Sequence, residues 1–131
     1  MERVIIIAEA GINHNGDLNK AIDLINKAAD AKVDFVKFQT FKTEKSVTKK
    51  AYLADYQSHN LNHEVRSQYE MLKTLELSKE DHLALLKECE KRGIQFLSTA
   101  FDPDGIDFLD SLGVPFFKSP SGEITNYPYL K

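Results

Sequence analysis

Val4-Ile5-Ile6-Ile7-Ala8-Glu9-Ala10-Gly11-Ile12-Asn13-His14-Asn15-Gly16 is the stretch on which the reading of this chain turns. Its first half is a continuous apolar, β-branched run, the pattern of a strand buried on both faces of a parallel sheet. Its second half is polar and glycine-bearing, and Asp17 behind it can cap a helix. Ala21, Leu24, Ile25, Ala28 and Ala29 then recur at helical spacing to about Ala31. Asp34 to Thr40 reads as a second short strand, so the opening is a β-α-β unit.

The same alternation continues. Residues 41–64 are polar, carry Tyr52 and Tyr56 and show weak periodicity, which predicts a long loop with one helical turn. A short helix is expected near Ser67 to Leu75. Ser78 and Asp81 form a capping-box pattern that opens a stronger helix through Leu83, Leu86 and Cys89, ended by Gly93. Ile94 to Phe101 follows as a third strand, Asp104 to Ser111 as a third helix closed near Gly113, and Val114 to Ser119 as a fourth strand. The expected order is βαβαβαβ.

Composition narrows the function classes. The 131 residues include 17 Lys+Arg and 20 Asp+Glu, a net charge of −3, with 42% hydrophobic and 28% charged residues. This is the make-up of a globular domain rather than a disordered chain. The densest basic cluster, Lys42 to Lys50, is interrupted by Glu44, so no basic run suits nucleic acid. Cys89 is the single cysteine and has no partner for a disulfide or a metal pair, which makes a reducing, cytoplasmic setting the expectation. The run at Val4 to Ala8 is too short to span a bilayer, and no targeting signal is read at the start; no membrane partner is expected.

Strands alternating with helices predict an α/β fold with parallel strands, either a doubly wound open sheet or part of a (β/α)8 TIM barrel. The first β-α turn lacks the G-x-G-x-x-G spacing of a dinucleotide fold, and no phosphate-binding P-loop occurs. Polar or charged residues instead stand near the carboxyl end of every expected strand: Glu9, Lys37 and Gln39, Ser98 and Thr99, Lys118 and Ser121. That is where a barrel keeps its active site. A whole barrel needs about 250 residues, and the sequence stops at Tyr129-Leu130-Lys131, where a fourth helix is due. Residues 1–131 are therefore read as the first half of a barrel from a longer enzyme.

Lys37 lies between Val36 and Phe38, and Lys118 follows Phe116 and Phe117. A lysine in an apolar strand is costly unless an anion meets it. Each lysine either reaches the rim or pairs with Glu9 or Glu123, or the two clamp a phosphate or carboxylate with help from Thr99, Ser121 and the amides around Gly122. Glu9 and Glu123 either balance those charges or shuttle a proton. His14, in the first loop, is read as a hydrogen-bonding residue with metal ligation as the alternative. His59, His63 and His82 have no partners at ligand spacing. Cys89 falls on an apolar helix face, as a packing residue would.

Four ordered motifs carry a resemblance. Ala8 to Gly16, then Val36-Lys37-Phe38-Gln39-Thr40, then Phe96-Leu97-Ser98-Thr99-Ala100-Phe101-Asp102, then Phe117-Lys118-Ser119-Pro120-Ser121-Gly122-Glu123 with Thr125-Asn126-Tyr127-Pro128, are similar to the N-terminal half of the sialic acid synthases. Ala100 and Ser119 depart from the family pattern, which commonly has proline and an apolar residue there. The resemblance implies a (β/α)8 enzyme that condenses phosphoenolpyruvate with N-acetylmannosamine to N-acetylneuraminate and phosphate, with legionaminic and pseudaminic acid synthases as siblings acting on other amino sugars. It implies that Lys37, Thr99, Lys118 and Ser121 hold phosphoenolpyruvate, that Glu9 and Glu123 face the reacting carbons, and that Gln39 lies near the sugar. A sugar-binding asparagine would fall at Asn62 or His63. The implied cofactor is Mn2+ or Mg2+, bound by ligands beyond Lys131, where the second half-barrel and an antifreeze-like domain are also expected. The 131-residue chain by itself is expected to be inactive and to self-associate, and a non-catalytic, anion-binding half barrel is the competing reading.

Overall fold

The computed structural model describes residues 3–47 and 67–131. Asn62, His59, His63, Tyr52, Tyr56 and most of the expected long loop lie outside the described residues. Three parallel strands, β1 (Ile7–Gly11), β2 (Phe35–Thr40) and β3 (Gln95–Ala100), pair in the order β1-β2-β3. The connections carry α1 (Leu18–Asp30), then α2 (Thr43–Ser46), α3 (Gln68–Leu75) and α4 (Lys79–Arg92); α5 (Pro103–Ser111), a 3-10 turn (Ser121–Glu123) and α6 (Tyr127–Leu130) follow. This is the parallel α/β plan the alternation predicts, with consecutive strands adjacent as in the opening wall of a (β/α)8 barrel.

Local chemistry explains the elements. Asp17 caps α1 by accepting from the Asn19 and Lys20 amides. Ser78 and Asp81 form the reciprocal capping box expected for α4, which ends at Gly93 in a left-handed conformation, φ 70°. The helices bury one sheet face: Ala10, Val36, Phe38, Phe96 and Ala100 pack with Ala21, Ile25, Ala28, Leu85, Cys89 and Leu109. Because strand side chains alternate, Glu9, Lys37, Leu97 and Thr99 fall on the opposite, inner face.

Two expectations are corrected. The first strand begins at Ile7 rather than Val4, and Val4 is 77% exposed, with Ile5 and Ile6 also exposed. β1 is an edge of the described sheet, with no described strand on its free side. Ile6 joins the next strand only by its backbone: its amide reaches Asp34, and its carbonyl accepts from the Asp34 and Phe35 amides. The expected fourth strand, Val114–Ser119, makes no ladder with β3. Pro115 has no amide proton to offer one, and Phe117 is exposed while Phe116 lies 5.1 Å from the Phe35 ring, centroid to centroid.

The helix-covered face carries a polar chain through its apolar core. His82 Nδ1 donates to the Ser78 carbonyl (2.7 Å), so in the neutral ring Nε2 must accept, and it does so from Thr40 Oγ1 (2.8 Å). The Ser98 hydroxyl in turn donates to Thr40 Oγ1 (2.7 Å). This chain ties α4 to β2 and β3. Burial holds the His82 imidazole below its ordinary value of 6.5, against the opposing pull of the Ser78 carbonyl and Asp81. Burial likewise lowers His14, with His82 adding to the effect.

The unfolded chain then takes up protons that the fold refuses. The stability these rings contribute is full above about pH 6.5 and is lost as pH falls below that value. Urea denaturation between pH 7.5 and 5.5 is expected to show stability declining with acid, and His82→Gln should flatten the decline; a flat wild-type profile would contradict it. At Gly16, φ is 74° and an added Cβ would stand 1.9 Å from the Thr74 carbonyl oxygen of α3. Gly16→Ala is therefore expected to cost about 2 kcal/mol or more, read as a lowered denaturation midpoint; an unchanged midpoint would show that α3 yields freely.

Candidate active site

The inner face of the sheet centres on a buried cation. Lys37 is 4% exposed, at the middle of the central strand. An ammonium there loses its water and needs replacements. Register supplies them: Glu9 is paired with Lys37 across β1-β2, and Gln39 with Thr99 across β2-β3. Lys37 Nζ meets Glu9 Oε2 at 2.8 Å and donates to Thr99 Oγ1 at 3.1 Å. The Glu9 side chain is 63% exposed, so the pair has one dry and one wet end.

The β1-β2 register slips between Glu9 and Gly11, a bulge at the carboxyl end of β1. Gln39, half-buried, brings its amide to the open side of Gly11, where an added Cβ would lie 3.8 Å from Nε2. The structure thus brings Glu9, Lys37, Thr99 and Gln39 together at the carboxyl end of the sheet. Among the described residues, no hydrogen bond or ion pair joins Lys118, Ser121 or Glu123 to them. Lys118 lies in the unpaired 114–119 segment, exposed, on a cavity of about 270 Å³ with Ser98, Ile106, Phe117 and Tyr129, and among the described residues it makes no hydrogen bond or ion pair. Without a fourth ladder, nothing sets its register against Lys37. Ser121 opens the exposed 3-10 turn, and Glu123 accepts from Asn126 Nδ2 (2.5 Å).

His14 is fully buried, and its Nδ1 accepts from the Gly16 amide at 3.0 Å. It shapes the first loop, and in the neutral ring Nε2 carries the hydrogen. Cys89 is buried, and burial, with Glu88 and Glu90 beside it, pushes its thiol up to about 12, which keeps it an inert packing residue. For the implied divalent metal, no group of three His, Cys, Asp or Glu stands together among the described residues. Glu9 is bound to Lys37 and Glu123 to Asn126. No described helix is long and apolar enough to cross a membrane.

Sequence reasoning did not find the Ser98-Thr40-His82 chain or the buried Asp102. Both depend on contacts between residues distant in the chain. The one local signal was Ser78-x-x-Asp81, which fixes where α4 starts and hence where His82 lies.

Known proteins share the sequence and the fold of this chain. Residues 24–131 match the model of the NeuB family. The chain is 56% identical over 126 residues to the N,N'-diacetyllegionaminic acid synthase of Legionella pneumophila, covering 96% of this chain and 35% of that protein. It is 38% identical over 127 residues to the N-acetylneuraminate-9-phosphate synthase of Homo sapiens, covering 96% and 34%. The crystal structure of the N-acetylneuraminic acid (sialic acid) synthetase of Leptospira borgpetersenii in complex with citrate superposes with a TM-score of 0.79 at 35% identity, over 98% of this chain and 40% of that one. The chain spans about a third of the length of these curated relatives.

The buried pair makes an asymmetric expectation. Lys37→Met keeps the apolar stem and removes a desolvated charge, so stability is expected to stay level or rise by about 1 kcal/mol. Glu9→Gln leaves the ammonium short of its counter-charge and is expected to cost about 1–3 kcal/mol. Paired urea titrations decide; a large loss in Lys37→Met would make the lysine a structural residue.

Proposed function

This chain belongs to the NeuB family, and from that premise we propose that its protein condenses phosphoenolpyruvate with a diacetamido sugar to give N,N'-diacetyllegionaminic acid and phosphate. The observation that carries the reading is the Lys37 ammonium, buried on the inner face and held between Glu9 and Thr99. A dry cation on the inner face of a parallel sheet, reaching toward Thr99 near the carboxyl end, is a seat for a small anion, and phosphoenolpyruvate offers a carboxylate and a phosphate. The Thr99 hydroxyl gives the same anion a second donor. Lys118 and Ser121 would add to this seat from the segment that follows α5.

The balance of the reaction assigns the remaining work. C3 of phosphoenolpyruvate bonds to the sugar aldehyde carbon, the aldehyde oxygen gains a proton, and C2 is left electron-poor. Water adds at C2 and gives up one proton; the new C2 hydroxyl then passes its remaining proton to the departing phosphate as C2=O forms and the C2–O bond to phosphate breaks. One group must hold a proton near the aldehyde and one near C2. Glu9, solvent-facing at one end and tied to Lys37 at the other, would suit such exchange, and Glu123 would be the second carboxylate. Gln39 presents a neutral amide that suits sugar hydroxyls.

Legionaminate is favoured over N-acetylneuraminate as the product by the 56% identity to the one synthase against 38% to the other. Phosphoenolpyruvate carries no nitrogen, so both acetamido groups of such a product must arrive with the sugar. A single-acetamido acceptor such as N-acetylmannosamine is the alternative.

The test is phosphate release by the full-length protein with phosphoenolpyruvate and each acceptor in turn. Higher kcat/KM with the diacetamido sugar, and a loss of about 100-fold or more in Lys37→Met, is the expected result. Preference for N-acetylmannosamine would overturn the choice of acceptor, and no release with either sugar would overturn the reaction.

A further inference from the structure

A second cavity, about 280 Å³, lies on the helix-covered side, between the amino ends of α4 and α5 and beyond the carboxyl end of β2. Its walls include Thr40, Phe41, Leu77, His82, Asp102 and Phe108. We propose that it binds a neutral, hydroxyl-bearing molecule of the size of a single sugar ring, held by Asp102 between aromatic walls. This site is separate from the Lys37 site and does not depend on the catalytic reading.

Asp102 is the first support. It is 6% exposed, and its Oδ1 caps α5 by accepting from the Gly105 amide at 2.8 Å. Its Oδ2 is buried and has no hydrogen-bond partner among the described residues. Leaving such an oxygen unsatisfied is costly. The amino terminus of α5 already favours the negative charge, so what Oδ2 lacks is a donor rather than a counter-ion.

Surrounding charges exclude strongly charged occupants. Lys42 is paired with Glu76, and Lys45 with Asp104. The Glu76 carboxyl is pushed up by burial, but hydrogen bonds from Lys42, the Thr43 amide, Lys73 and the Thr43 hydroxyl outweigh this and hold it at about 2, so this rim stays ionised. A phosphate or carboxylate would meet Asp102 and Asp104, while an organic cation would meet Lys42 and Lys79. The Lys79 ammonium makes no close ion pair among the described residues, although the Asp104 carboxylate acts on it at longer range, and it stands 5.2 Å from the centre of the Phe108 ring. A hydroxyl can donate to Asp102 Oδ2 while a neighbouring hydroxyl accepts from Lys79. Phe41 and Phe108 offer apolar surface to the C–H face of a sugar ring, and the volume suits one ring rather than a larger ligand. Thr40 and His82 satisfy each other and make no competing demand.

The experiment is saturation-transfer NMR on the full-length protein with N-acetylmannosamine as the probe. Asp102→Asn keeps an acceptor for the Gly105 amide but puts an amide donor in place of the orphan oxygen; Gln39→Ala removes the inner-face amide instead. Saturable transfer that survives Gln39→Ala and weakens about tenfold or more in Asp102→Asn is expected. Should Asp102→Asn lose its thermal transition, the exposed Lys79→Met variant is read instead, with several-fold weakening expected. Absence of binding, or binding that is lost with Gln39→Ala and indifferent to Asp102 and Lys79, overturns the second site. The phosphate-release assay is read separately, so failure here leaves the reaction standing.

Discussion

An ammonium placed in the middle of a central strand is the constraint around which the rest of this structure is arranged. Lys37 cannot leave: its neighbours Val36 and Phe38 are core residues on the helix side, so its own Cβ must face inward. Nor can it stay unpartnered, because a buried charge without hydrogen bonds costs more than a small domain has to spare. The solution is lateral. One partner comes from each flanking strand, Glu9 from β1 and Thr99 from β3, and both depend on strand register. A slip of one residue in either ladder would turn the partner onto the helix face and strand the charge. The ion pair therefore discriminates against misregister even where it adds no net stability.

The opposite face solves a related problem with neutral groups. Thr40 and Ser98 stand in an otherwise apolar layer, and His82 reaches them from α4. Their hydrogen bonds run in one direction, from Ser98 through Thr40 to His82 and on to the Ser78 carbonyl at the α4 cap. A capping box, a histidine tautomer and two strand hydroxyls are thereby coupled. The two faces differ in what they ask of water: the inner group keeps a wet end at Glu9, whereas the outer chain is closed.

Much of this was legible in the chain. Ser78 and Asp81 announced the start of α4, Asp17 that of α1, and Gly93 the end of α4, because caps are local chemistry. Lys37 stood out as a charge inside an apolar run, and Glu9 and Thr99 as polar strand-end residues. What misled was the assumption that apolar runs become paired strands. Val4 to Ile6 and Val114 to Ser119 have the composition, but a strand needs a neighbour, and among the described residues neither stretch has a full ladder. Lys118 shares that fate: its place relative to Lys37 depends on the pairing of 114–119, and no short-range pattern encodes pairing. Thr40 and His82, separated by 42 positions, and Thr40 and Ser98, separated by 58, escaped notice for the same reason.

The partners of Lys37 also bear on how the site would work. Under the proposed function, an incoming anion must displace Glu9 or share the ammonium with it. Two anions crowded on one cation raise the cost of keeping both ionised. In the proposed reaction an anion would therefore compete with the Glu9 carboxylate for the one ammonium. Thr99, being neutral, needs no such exchange and can donate to the anion in every state. A lysine held by one charged and one neutral partner thus keeps its charge only half countered, whereas a lysine between two carboxylates would hold too much opposing charge for an anion to enter.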